Sequence, residues 1–179
     1  MKSPTLLVLF LFLTLPMLAQ QQQNAESRSI AVQTVTNTAG DRPQIALIKK
    51  TKSGVADWFS IFGGTSYERA SDVTETPDGG YIILGSTSSY GNGNYDLILI
   101  KTDANGQQEW FKTFGDFYNE YGESIELSPS GNYLIGATKQ LCTGKKNNFS
   151  LCKDYPWQLE LDPSGNLIKE QVSDQAVKR

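Results

Sequence analysis

Trp58-Phe59-Ser60-Ile61-Phe62-Gly63, then Glu68, then Pro77-Asp78-Gly79-Gly80-Tyr81-Ile82-Ile83-Leu84, and finally Leu97-Ile98-Leu99-Ile100-Lys101-Thr102-Asp103: this stretch decides the fold, because it recurs. Trp110 follows Trp58 by 52 residues, and Phe111, Phe114, Gly115, Glu120, Pro129, Gly131, Tyr133 and Ile135 keep the same interval. A period near fifty residues marks a repeat architecture.

Within one period the segments alternate or run continuously apolar over strand length. Val55–Phe62 and Gln107–Phe114 alternate and are aromatic; Ala70–Glu75 and Gly122–Ser128 follow; Tyr81–Gly85 and Tyr133–Gly136 are unbroken apolar runs, which predicts cover on both faces. Gly136 lies 51 residues after Gly85, so one residue reads as missing from the second copy there. Turn residues punctuate the strands. Pro77–Gly80 and Pro129–Asn132 are hairpin signals, with Gly79 and Gly131 placed to take positive φ. Thr51–Gly54, Asp103–Gly106 and Asp162–Gly165 share a second form, a polar residue that bonds the amides ahead of it and a closing glycine. Asp103, Asp162, Gly106 and Gly165 are accordingly read as structural.

The expectation is an all-β protein of consecutive four-stranded antiparallel units, propeller-like and incomplete. Repeats occupy 43–171, with units at about 54–105 and 106–165, an insert at 138–157 and a tail at 172–179. Asn166–Gln171 reads as the opening strand of a further unit, with Lys169 where Trp58 and Trp110 predict an aromatic residue. About two full units leave two apolar faces bare, which predicts a partner, self-association, or membership of a longer array.

Outside the repeat, Met1-Lys2-Ser3, the apolar run Leu6–Leu15 and Pro16–Ala19 have the plan of a signal peptide, 1–19, cleaved after Ala19. The run is shorter than the roughly 20 apolar residues of a membrane span, so no transmembrane segment remains after removal. Gln20–Arg42 reads as a flexible lead-in in which Ile30-Ala31-Val32 and Val35 hint at one short strand. Secretion or cell-surface placement makes a disulfide between Cys142 and Cys152, the two cysteines, the expected state, with two free thiols as the alternative.

Composition excludes more than it identifies. Sixteen Lys and Arg against 19 Asp and Glu, with no basic run, argue against nucleic acid. There is no histidine, which removes the usual general base and the commonest transition-metal ligand. No catalytic residue, metal site or cofactor is expected. Glu68 and Glu120 recur in register and are read as structural groups in neighbouring units that do not converge. The candidate ligand contacts are Asn92, Asn94, Tyr95 and Asp96, in a loop whose oxygens suit a hard cation such as calcium, with a plain hairpin as the alternative. Tyr67, Tyr90, Phe117, Tyr118 and Tyr121 stand beside turns, where they could stack on sugar rings or pack over glycines.

These residues resemble the secreted β-propeller-type repeats of large surface and exported proteins of Bacteroidota, which run strand, D-x-x-G-x-x-x-W, F-G-G and a D-G-G-Y turn. Asp103, Gly106, Trp110, Phe114, Gly115, Asp78, Gly79, Gly80 and Tyr81 carry the likeness, over Ile45 to about Ile168. The same Asp-to-Trp element is similar to the tryptophan docking motif of quinoprotein propellers, in which Trp packs between neighbouring blades, although its Asp-to-Gly spacing here is one residue shorter. The resemblance implies a non-catalytic binding or scaffolding module, with protein or glycan ligands. The alternatives are a fragment of a propeller enzyme, hydrolase or quinoprotein-type dehydrogenase, or a carbohydrate-binding module.

Overall fold

The computed structural model describes residues 29–36, 42–143 and 152–177. The signal-peptide reading, most of the lead-in and the centre of the insert lie outside them. The described residues form eleven strands and no helix: β1 (Ser29–Val35), β2 (Gln44–Lys50), β3 (Ala56–Phe62), β4 (Glu68–Glu75), β5 (Tyr81–Thr87), β6 (Asp96–Thr102), β7 (Gln108–Phe114), β8 (Glu120–Leu127), β9 (Tyr133–Cys142), β10 (Cys152–Leu161) and β11 (Leu167–Val172).

All pairings within sheets are antiparallel between chain neighbours. They give a first sheet β1-β2-β3, a middle sheet β4-β5-β6-β7 and a last sheet β8-β9-β10-β11. The phase of the sheets corrects two expectations. The tryptophan strands β3 and β7 complete the sheet before them, because the tight turns Thr51–Gly54 and Asp103–Gly106 fold each back on its predecessor. For the same reason Asn166–Gln171 is no opening strand of a further sheet; it lies almost wholly in β11, paired to β10. The lead-in also contains a full seven-residue strand, β1, which pairs with β2 from Ser29↔Lys50 to Val35↔Gln44.

The repeat is kept by the backbone as well as by the side chains. Ladder irregularities fall between Ala70 and Asp72 and again between Gly122 and Ser124, and between Lys49 and Lys50, Lys101 and Thr102, and Glu160 and Leu161. The ladder also shows no missing residue in β9. Glu68 pairs with Thr87 and Glu120 with Lys139, both at the 52-residue interval, so Ala137 stands where Gly85 does and Gly136 where Leu84 does. The extra length of the third copy is confined to the β9–β10 hairpin.

Continuous apolar runs predict two covered faces, and β5 and β6 have them. Ile45, Leu47 and Phe62 of the first sheet meet Tyr81, Ile83, Ile98 and Ile100 of the middle one. The other face of the same two strands, Ile82, Leu84, Leu97 and Leu99, meets Ile125, Tyr133, Ile135, Ala137, Trp157, Leu159 and Leu161. Every residue of β5 and β6 is buried. In β9 the expectation fails. Tyr133 and Ile135 are buried while Leu134 is 40 % exposed, since no described strand covers the outer face of the last sheet.

The two end faces therefore differ, which corrects the expectation of two bare apolar faces. Val55, Phe59 and Ile61 stand exposed at the first sheet, at 63 %, 65 % and 48 %. At the other end Ser124, Glu126, Gln158, Glu160, Lys169 and Gln171 surround Leu134, and the further exposed apolar side chains Leu141, Leu167 and Ile168 stand at the ends of β9 and β11. Gln158 and Lys169 occupy the places that Leu99 and Trp110 hold one copy earlier.

Candidate functional site

The clearest constructions lie at the two sheet-to-sheet junctions, and each is made by a tryptophan from one sheet and a turn glycine from the next. Gly106 has φ of 76° and Gly165 of 73°, and each closes a turn in which its amide bonds the carbonyl of Asp103 or Asp162. The carboxylate of Asp103 accepts from the amides of Asn105 (2.9 Å) and Gln107 (2.8 Å), and that of Asp162 from Ser164 (2.9 Å) and Asn166 (2.8 Å). These bonds hold both carboxylates below the usual range. Both aspartates are turn-formers, as their spacing predicts. Gly79 and Gly131 take φ of 81° and 84° in the other turns.

Over these turns lie the indoles. A β-carbon on Gly106 would come within 2.5 Å of the Trp58 ring, and one on Gly165 within 2.8 Å of Trp110. Trp58 faces Tyr81 at 6.0 Å between ring centroids and Trp110 faces Tyr133 at 6.5 Å. The two indoles thus sit in matching surroundings, one junction apart. Their cations differ: Lys49 bonds the Tyr81 hydroxyl (2.7 Å), whereas Lys101, buried, pairs with Asp78 (2.8 Å) and Glu109 (3.0 Å). The first of these contacts holds the Asp78 carboxyl far below its ordinary value.

The loop singled out as a ligand contact is folded into the structure. Asp96, 1 % exposed, spends Oδ2 on the amides of Asn92 (3.1 Å) and Gly93 (2.8 Å). The Asn94 amide bonds the Tyr118 carbonyl at 2.9 Å, Tyr95 bridges Asn119, and the Tyr95 and Tyr121 rings are 5.7 Å apart. Among the described residues no group of three or more His, Cys, Asp or Glu is placed to hold a metal. What the sequence reading missed is that Asp96 meets Glu120: it weighed only the in-register pair Glu68 and Glu120, which open different strands at separate junctions. The signal was present, since Asp96 stands where the preceding copy has Gln44.

The turn aromatics divide. Tyr90 packs on Phe111 (4.9 Å) and donates to the Gly63 carbonyl (3.2 Å), which is packing over a turn glycine. Tyr67, beneath Arg42, and Phe117, edge-on to Tyr118, remain partly exposed.

Cys142 and Cys152 are bonded, and they are opposite partners at the end of the β9–β10 ladder from which the connecting segment departs. Reduction is expected to lower stability by up to about 3 kcal/mol, the chain-entropy value for so short a loop. Urea unfolding with and without reductant measures it; no change would show that the ladder alone holds that end. No helix among the described residues is long and apolar enough to cross a membrane.

A trough of about 1000 Å³ lies on the open face of the first sheet, lined by Val35, Arg42, Ile48, Phe59, Ile61 and Tyr67 among others. Comparison with models of known protein families gives no match, and comparison with curated sequences gives none either.

Proposed function

We propose that this chain is an exported, non-catalytic module of propeller-type blades that binds or braces through the open face of its first sheet. The observation that carries this reading is the contrast between the end faces, apolar on β2 and β3 and mostly polar on β9, β10 and β11. Apolar area left in water favours association by about 25 cal/mol for each Å² covered. The occupant that fits is a further sheet of the same repeat, from an adjoining blade or another copy, because sheets of this kind cover the equivalent positions Ile98 and Ile100 inside the molecule. The likeness to Bacteroidota surface repeats and the disulfide agree with an extracellular setting.

Light scattering on the purified chain tests the proposal. Self-association is expected, and Phe59→Lys with Ile61→Glu should abolish it, while Gln158→Lys on the polar face should not. A wild-type chain that stays monomeric at high concentration would defeat the reading. The exposed rings of Tyr67 and Phe117 support carbohydrate binding as the second reading, and a glycan array with Tyr67→Ala and Phe117→Ala controls separates the two.

A further inference from the structure

Glu68 and Glu120 open β4 and β8, and the junctions around them are one site built twice with different donors. At the first, Glu68 accepts from Gln44 Nε2 (2.8 Å), Thr87 Oγ1 (3.2 Å) and the Gly64 amide (3.3 Å). At the second, the Asp116 amide replaces that of Gly64 and still donates to Glu120 Oε2, at 3.2 Å. The other two donors are gone. Asp96 stands in place of Gln44, and Lys139 in place of Thr87, its ammonium turned to Asp116 (2.6 Å) and the Trp157 ring (4.8 Å).

Glu120 is nonetheless fully buried, and its Oε1 is without a hydrogen-bond partner. Asp96 Oδ1 and Glu120 Oε2 each lie 2.4 Å from the point where a β-carbon on Gly115 would sit, which places the two oxygens a few ångströms apart. Two carboxylates at that separation, out of water, repel strongly when both are ionised. A proton on either one supplies the donor that the Gln44 amide provides at the first junction.

We infer that Asp96 and Glu120 hold one proton between them, and that its loss weakens the seam between the middle and last sheets. Burial is the main influence raising Glu120 from an ordinary 4.5 to about 7. Asp96 on β6 and Asp116 before β8 add to it, while the Asp116 amide and Lys139 on β9 oppose it.

A raised acid favours the folded state below its unfolded pKa, and that advantage is lost as pH rises through the folded value. Stability should therefore fall from pH 4.5 to pH 7 and level off above. The window is clean: the chain has no histidine, and Asp78, Asp103 and Asp162 are shifted downward, so they lose their contributions only under more acidic conditions.

Thermal unfolding across that range is expected to show a fall in melting temperature of about 5 °C. Asp96→Gln, which restores the donor of the first junction, should flatten it. Gln44→Asp should add a second fall of the same sign. Because either variant could fold poorly, NMR titration of the Asp96 and Glu120 side-chain carboxyls in the wild-type protein provides a direct reading. Titration of both carboxyls in the ordinary range would overturn the inference. So would a melting temperature that millimolar calcium raises and makes independent of pH, since the pair would then be a cation site.

Discussion

Trp110→Ala is expected to destabilise the protein by about 3 kcal/mol, the low end of the usual cost of emptying an aromatic site, and Trp58→Ala by a similar amount. The low end applies because both indoles are half-buried. Each bridges two sheets, resting on a tyrosine of the next sheet and on that sheet's turn glycine, so truncation opens the junction rather than a pocket inside one sheet. A ring that merely lay on the surface would cost well under 1 kcal/mol. Urea unfolding of the two single variants and the double decides the matter. The two sites occupy separate junctions, so their costs should add to within about 0.5 kcal/mol. Unequal costs would mean that the sequence repeat is not an energetic one.

Gly106→Ala is expected to cost about as much, for two reasons that can be separated. The backbone at φ of 76° disfavours any β-carbon by roughly 1–2 kcal/mol, and the new methyl would press on the Trp58 ring 2.5 Å away. Gly54 supplies the comparison, with φ of 81° and nothing within 4 Å of its would-be β-carbon. Gly54→Ala should thus show the backbone cost alone. In a Trp58→Ala background the ring's part of the clash should vanish, leaving only Ser60 Oγ at 2.8 Å, and Gly106→Ala should fall toward the Gly54→Ala value. Equal costs with and without the indole would refute the docking contact.

These junctions were largely legible in the sequence because their parts are local. A four-residue turn closed by glycine and a tryptophan a few residues on can be read from spacing alone, and the matching of Trp58 to Trp110 needs no coordinates. The phase was harder. Any strand of a repeat can be counted as the first, and the grouping of β3 with β2 follows from a hairpin turn whose residues resemble those of the other hairpins.

Aligning Gly136 with Gly85 by residue type placed a deletion where the ladder has none, since Gly136 occupies the place of Leu84. The meeting of Asp96 and Glu120 was beyond reach for a different reason. It joins two sheets, and its geometry depends on how they pack. Even so, the change from Gln44 to Asp96 in register was visible, and it is the kind of departure within a repeat that repays attention.

The mostly polar outer surface of β9, β10 and β11 gives the molecule a direction. Units grafted after Val172 would have to seat their apolar side against Gln158, Glu160, Lys169 and Gln171, whereas a unit inserted ahead of Ser29 would find Ile48, Phe59 and Ile61 waiting. Anyone lengthening this protein by design should build toward its amino end.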